Sequence, residues 1–249
     1  MIADPSNRPP VPGEPGATPV LPQRLRAVAE LVPAGAVVVD VGAGHGLLCL
    51  WLLARGRVPR CIATERDRVA GARLVDRDKV SGLEVRFGDG LRVLGREECP
   101  EVLVISGLGA RSMLRILEEA GERLSRLRRI VLQPQTEAGR LRRWIAGRGL
   151  TTVDERMTLD RGRFYVTIAA ERRPAARPVS HPALSFDELM EAGPCLVRSA
   201  DPLVREYWQR VATRLDRVLE RATVGTGRAR AVRHRALARR VLTALDSGC

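Results

Sequence analysis

Val37-Val38-Val39-Asp40-Val41-Gly42-Ala43-Gly44-His45-Gly46 is the stretch that decides how the rest of the chain is read. A run of β-branched residues ends in an acid, and glycine then stands at every second position. Such a run predicts a buried strand. Glycines at 42, 44 and 46 let the backbone turn sharply and approach a ligand that any Cβ would hold off. A helical pattern follows at about 47–55, and its free N–H groups face the same turn, as a nucleotide-like ligand requires.

Outward from this turn the pattern repeats. Arg60-Cys61-Ile62-Ala63-Thr64 predicts a second strand with Glu65 at its carboxyl end. A carboxylate there can accept from both ribose hydroxyls, in a dinucleotide enzyme as in others, and the plainer alternative is an exposed acid at a helix start. Val85-Arg86-Phe87 predicts a third strand ending in Gly88-Asp89-Gly90, where Asp89 can accept from an adenine amino group. Val102 to Ser106 and Arg129 to Gln133 are two further apolar runs, and helical patterns fall at about 66–79, 111–121 and 136–148. Strand and helix in alternation imply an α/β fold with a mainly parallel sheet covered on both faces. Thr151 to Met157 and Arg163 to Ala170, separated by Thr158 to Gly162, predict a closing hairpin with one antiparallel strand.

The flanks differ in character. Residues 1–20 are rich in proline and glycine and predict a disordered tail. Leu21, Leu25, Val28 and Leu31 have helical spacing ahead of the first strand. Arg172 to Pro178 predicts a linker. Beyond it, Leu203, Tyr207, Val211, Leu215 and Leu219, then Val232, Ala236, Val241 and Leu245, predict two amphipathic helices paired antiparallel. The organisation expected is a tail at 1–20, a ligand-binding domain at 21–172 and a helical domain at 178–249.

The chain has 249 residues and a formal net charge of +13, which favours a polyanionic partner such as nucleic acid. Of its 42 basic residues only Lys79 is lysine, a bias that codon composition can produce. The cluster Arg228, Arg230, Arg233, Arg235, Arg239 and Arg240, with no acid between, is the more telling feature; a solvated helix face is its alternative. No apolar stretch approaches the roughly 20 residues of a membrane span, and the first residues lack the basic-then-apolar pattern of a signal peptide, so a cytoplasmic protein is expected. The five cysteines are scattered without a C-x-x-C pair, so neither a metal site nor a disulfide framework is expected, and Cys49 and Cys61 read as core residues.

Leu47 stands where the dinucleotide fingerprint needs glycine, and D-x-G-x-G-x-G instead resembles motif I of class I S-adenosylmethionine (SAM) methyltransferases. A wider set of motifs resembles the bacterial tRNA (adenine-22 N1)-methyltransferase family over nearly everything after the tail. The set comprises Leu21-Pro22-Gln23-Arg24-Leu25, Asp40-x-Gly42-x-x-His45, Ser106-Gly107-Leu108-Gly109, Leu132-Gln133-Pro134-Gln135, Arg163-Phe164-Tyr165 and Gly193-Pro194-Cys195-Leu196. The resemblance implies a Rossmann-like, seven-stranded methyltransferase sheet followed by a helical coiled-coil domain that helps to hold tRNA. SAM is the implied cofactor, with Asp40, Gly42, Gly44, His45, Gly46, Glu65, Asp89, Gly90, Ser106 and Gly107 around it. Gly109, Gln135 and the six clustered arginines are the expected RNA contacts, and His45, Gln133 and Tyr165 are the candidates near the chemistry, with Phe164 a second candidate for stacking. The family pattern differs at Gly44, Ala110 and Gln135. Three other readings stay open: a SAM methyltransferase for another RNA site or a small molecule, a tRNA-binding homologue without catalysis, and an NAD oxidoreductase. No metal is expected, and the sequence leaves the oligomeric state open.

Overall fold

The computed structural model describes residues 18–69, 71, 74, 80–173, 179–199, 201–221 and 225–247. Most of the expected tail, linker and 66–79 helix therefore lies outside the described residues. Seven strands form one sheet: β1 (Val37–Val41), β2 (Arg60–Glu65), β3 (Leu83–Phe87), β4 (Val102–Ser106), β5 (Arg129–Gln133), β6 (Thr151–Asp160) and β7 (Arg163–Glu171). Their order is β3-β2-β1-β4-β5-β7-β6. The first five are parallel, and β7 inserts antiparallel between β5 and β6. The hairpin connection is shorter than the sequence suggests. Thr158, Leu159 and Asp160 pair with Tyr165, Phe164 and Arg163, which leaves a two-residue turn, Arg161-Gly162, with φ of 50° and 76°. Positive φ at both positions matches the twist of the flanking strands.

Helices cover both faces because the central strands are apolar on both sides. On one face α1 (Gln23–Leu31) and α2 (Leu47–Ala54) pack over Val38, Cys61, Val102, Val104 and Val131. On the other, α3 (Ala110–Ala120), the short α4 (Arg123–Arg126) and α5 (Ala138–Gly147) pack over Val39, Ile62, Leu103, Ile105, Ile130 and Leu132.

A third cluster joins the sheet to the helices that follow: α6 (Phe186–Ala192), α7 (Pro194–Ser199), α8 (Pro202–Arg221) and α9 (Thr226–Asp246). Ser185 caps α6, accepting from the Glu188 N–H while Glu188 returns a bond to the Ser185 N–H. In α8 the buried positions are Val204, Trp208, Val211, Leu215 and Leu219, with Leu203 and Tyr207 beside them; in α9, Ala231, Leu237, Ala238, Val241, Ala244 and Leu245 are buried. Val232, assigned to the seam from the sequence, is 48% exposed. Steps of four drift around a helix of 3.6 residues per turn, whereas a paired helix keeps its seam by alternating three and four. His234 falls on that seam rather than at the surface, its ring 6.1 Å from that of Trp208, and burial lowers its pKa.

One buried ion pair locks the helices to the sheet. Arg142 of α5 donates from Nε to Glu155 Oε1 of β6 at 2.6 Å, with side chains 1% and 0% exposed. Its Nη1 donates to the carbonyls of Met190 and Glu191 at 2.9 and 3.0 Å. Glu155 Oε2 accepts from the N–H groups of Cys195 and Leu196 at 2.9 and 3.4 Å. Gly193 sits at φ 98°, and a Cβ there would meet Arg142 Nη2 at 2.7 Å. The Gly193-Pro194-Cys195-Leu196 stretch is thus the turn that seats α7 on this pair.

Candidate active site

The glycine turn leaves β1 at the carboxyl edge of the sheet. Gly42 and Ala43 donate to the Thr64 carbonyl at 2.8 and 3.1 Å, and Gly44 donates to Glu65 Oε2 at 3.1 Å, so β2 fixes the loop. Two of its glycines do different work. Gly44 has φ 56° and nothing within 4 Å of where a Cβ would stand, so it borders open space. Gly46 has φ 67°, and its Cβ would lie 2.3 Å from Leu74, so packing against Leu74 demands glycine there.

Asp40 is 2% exposed beneath the loop. Burial, and then the Glu65 carboxylate, push its pKa up to about 7. Its Oδ1 has no hydrogen-bond partner, and Cys49 Sγ lies 3.8 Å from Oδ2. Cys49 and Cys61 are joined as a disulfide with Cα atoms 5.7 Å apart, contrary to the expectation of unpaired core cysteines. Cys49 on α2 and Cys61 on β2 point into one cluster, a proximity that scattered spacing does not reveal. A disulfide sulfur has no proton to give Asp40.

The remaining expected residues lie along the same edge. Glu65 Oε1 accepts from the N–H groups of Arg66 and Asp67 at 2.8 and 3.1 Å. Asp89 precedes a single 3-10 turn, Gly90–Val93, and Arg115 of α3 pairs with it at 3.2 Å. Ser106 faces Gln133 in the ladder, and beyond it Gly107 donates to the Gln133 carbonyl at 3.0 Å while Gln135 donates to the Leu108 carbonyl at 2.8 Å. The two loops are thereby zipped, with Gly107, Gly109 and Gln135 near the open side. Gln133 itself is fully buried, its Nε2 donating to the Pro134 carbonyl at 3.2 Å and its Oε1 without a partner. His45 is exposed at the crest of the loop. Tyr165 stands near the hairpin turn with the guanidiniums of Arg24 and Arg163 each 5.8 Å from its ring centroid. Phe164 faces the helices instead, 5.4 Å from Tyr207 and under Arg210 at 5.2 Å.

The residues fit SAM by their own chemistry. A buried carboxyl with an unpartnered oxygen, an open glycine and a strand-end carboxylate stand together at the carboxyl edge of the sheet, with the first N–H groups of α2 beside them. Among the described residues no group of three or more His, Cys, Asp or Glu is placed to hold a metal, and no helix is long and apolar enough to cross a membrane.

The arginine cluster of α9 is largely engaged within the protein. Arg235 and Arg239 face Asp216 at 3.3 and 3.6 Å, Arg240 pairs with Glu188, and Arg228 donates to the Leu219 carbonyl at 2.9 Å. A second row, unnoticed in the sequence, lies on α8: Arg210, Arg214, Arg217 and Arg221. They line a groove of about 730 Å³ with Glu206, Gln209 and Thr213, and Arg210 pairs with Glu206 at 2.5 Å. Arg214, Arg217 and Arg221 have no carboxylate within 4 Å among the described residues. Their spacing of four, three and four was the available signal.

Comparison with known proteins follows the same lines. The tRNA (adenine(22)-N(1))-methyltransferase family model matches residues 38–244. The tRNA (adenine(22)-N(1))-methyltransferase of Bacillus subtilis (strain 168) is 29% identical over 192 residues, 76% of this chain and 79% of the relative. The crystal structure of the B. subtilis m1A22 tRNA methyltransferase superposes with a TM-score of 0.77 at 25% identity, over 90% of this chain and 97% of that one. Streptococcus pneumoniae Sp1610 in complex with S-adenosyl-L-methionine gives a TM-score of 0.78 at 28% identity, over 90% and 100%. The chain belongs to the tRNA (adenine(22)-N(1))-methyltransferase family.

Proposed function

We propose that the protein transfers a methyl group from SAM to N1 of an adenine in tRNA, at position 22, and that it works in the cytoplasm. The family match over residues 38–244, laid on a strand-end site with Gly44 open and Glu65 at the second strand, carries this reading. Residues 21–172 form the cofactor domain and 178–249 the helical domain that receives tRNA. Gly42, Gly44 and the start of α2 take the amino-acid end of SAM, Glu65 the ribose, and Asp89 the adenine amino group. Bound there, SAM supplies an electrophilic methyl on a sulfonium.

Adenine N1 has a free lone pair in the neutral base, so the protein's task is alignment more than proton transfer. Gly107, Gly109 and Gln135 form the wall against which the base is placed. N1 is normally covered by base pairing, so the target nucleotide must be unpaired or flipped out. Arg214, Arg217 and Arg221 of α8, which follow Arg210 beside Phe164, take the RNA backbone in place of the largely internally paired run on α9. These three residues span about 10 Å of helix, the reach of neighbouring phosphates.

The test is transfer of labelled methyl from SAM to unmodified tRNA, followed by nucleoside analysis. N1-methyladenosine at position 22 is the expected product. Another methylated nucleoside would overturn the target assignment, and binding of SAM and tRNA without transfer would overturn the activity.

A further inference from the structure

The tip of the β6–β7 hairpin and the first turn of α1 meet at the mouth of the site. Arg129 Nη1 donates to the Leu31 carbonyl at 2.8 Å, which ties the last residue of α1 to the first of β5. α1 therefore runs against the parallel strands and begins at their carboxyl edge, where Leu25 packs in the same cluster as Ala43 and Leu47 of the glycine turn. β7 is antiparallel to β5 with Leu132 opposite Ile168, so Arg163, Phe164 and Tyr165 pass beyond that edge.

Charge accumulates there without being neutralised. The Tyr165 ring carries two guanidiniums, Arg24 and Arg163, each 5.8 Å from its centroid. Asp160, 13% exposed, approaches Arg24 Nε at 3.8 Å, and Arg24 makes no hydrogen bond among the described residues. Arg163 has no carboxylate within ion-pair distance among the described residues, and neither has Arg161 at the turn. Three cations thus face one acid. Holding like charges together costs free energy that an anion between them would offset. Stacking on the tyrosine also orders the two side chains in advance and lowers the entropy lost when they bind.

We propose that Arg24 and Arg163, ordered on Tyr165, clamp a phosphodiester of the RNA beside the nucleotide being methylated. This rests on the RNA substrate proposed above and assigns it a second contact, on the face of β7 opposite α8. Guanidiniums suit phosphate because their paired N–H groups match two of its oxygens. Phe164 with Arg210 on one face of the strand, and Tyr165 with Arg24 and Arg163 on the other, then grip the backbone from both sides of the site.

The experiment compares wild type with Arg163→Gln, Arg24→Gln and the double variant, with Arg96→Gln at the opposite edge as control. SAM affinity, tRNA affinity at several salt concentrations, and kcat and KM for tRNA are measured. The double variant should weaken tRNA binding about tenfold or more and flatten the log–log salt dependence by about 0.7, the value for one single-strand phosphate. SAM affinity should stay within about twofold, because neither arginine holds the cofactor. Unchanged affinity and slope in the double variant would overturn the clamp, as would a lower kcat at unchanged slope. Arg163 is exposed and contacts only the ring, so its variant tests the clamp even where Arg24→Gln impairs folding. A wild type that binds tRNA but transfers nothing would sink the assigned reaction and leave the clamp to be judged on binding alone.

Discussion

Removing the Glu155 carboxylate should be among the most damaging single changes to this fold, and its size can be worked from the contacts. Glu155→Ala leaves the Arg142 guanidinium, 1% exposed, with two carbonyls but no counter-charge. It also strips the acceptor from the Cys195 and Leu196 N–H groups. Breaking a buried pair by deleting one partner costs about 3–5 kcal/mol, and each orphaned donor adds about 1–3 kcal/mol unless water enters the space vacated. A loss of about 4 kcal/mol is a large part of the ~5–15 kcal/mol by which domains are stable. For a chain of this size it corresponds to a fall in melting temperature of about 10 °C. Thermal unfolding followed by circular dichroism measures it. The double replacement Arg142→Leu with Glu155→Leu should recover most of the loss, because no buried charge then lacks a partner. The pair seats α7 and the helices beyond it, so Glu155→Ala should also raise KM for tRNA while SAM affinity holds. A fall of less than about 2 °C, or a double variant no better than the single, would refute the reasoning.

Three further outcomes are expected. Glu65→Ala should weaken SAM binding by about 10- to 100-fold in calorimetry, since it deletes the proposed ribose acceptor and the brace on the Gly44 N–H, each a charge-assisted hydrogen bond. Asp40 keeps its proton in the folded chain up to about pH 7, against an ordinary 3.8, so its contribution favours the fold at low pH and is lost progressively as pH rises from about 4 to 7. The unliganded protein should therefore lose on the order of 2 kcal/mol between pH 5 and pH 8 from this group, and Asp40→Asn should flatten that decline. Glu98, held down at about 2 chiefly by Arg86, acts below that window, whereas His234, lowered by burial, offsets part of the decline, so the difference between wild type and Asp40→Asn is the quantity to read. Replacing Arg214, Arg217 and Arg221 by alanine should lower the salt slope of tRNA binding by about 2, whereas Arg235→Ala with Arg239→Ala, which breaks pairs to Asp216, should change it less; equal effects in filter binding would contradict the assignment of the α8 row.

Much of the fold is written locally. The apolar runs, the glycine turn and the acid after β2 each lie within a few residues, and period and turn chemistry act over that range. A mainly parallel sheet follows from the alternation of strand and helix, and a closing antiparallel strand from the last two strand-like runs, whereas the order that places β7 between β5 and β6 is decided in the tertiary structure. The capping box Ser185-Phe186-Asp187-Glu188 was equally local and marks the start of α6, although the helix is too short for its periodicity to stand out.

What the sequence did not determine depends on which side chains meet across the chain. Gln133 ends an apolar strand and reads as a candidate near the chemistry, but the sheet encloses it. Cys49 and Cys61 are 12 residues apart and unremarkable until α2 is laid across β2. The six arginines of α9 read as a free cationic face, yet Asp216 and Glu188, distant in sequence, neutralise three of them. On α8, Arg210 pairs with Glu206 while Arg214, Arg217 and Arg221 meet no carboxylate among the described residues, and Arg24 and Arg163 converge on Tyr165 only because α1 and β7 both run against the parallel strands. Sequence determined the elements and the cofactor turn, because backbone preference and hydrophobic period are short-range. Tertiary structure decided which charges are satisfied internally and which remain for RNA, because Coulomb pairing depends on distance in space.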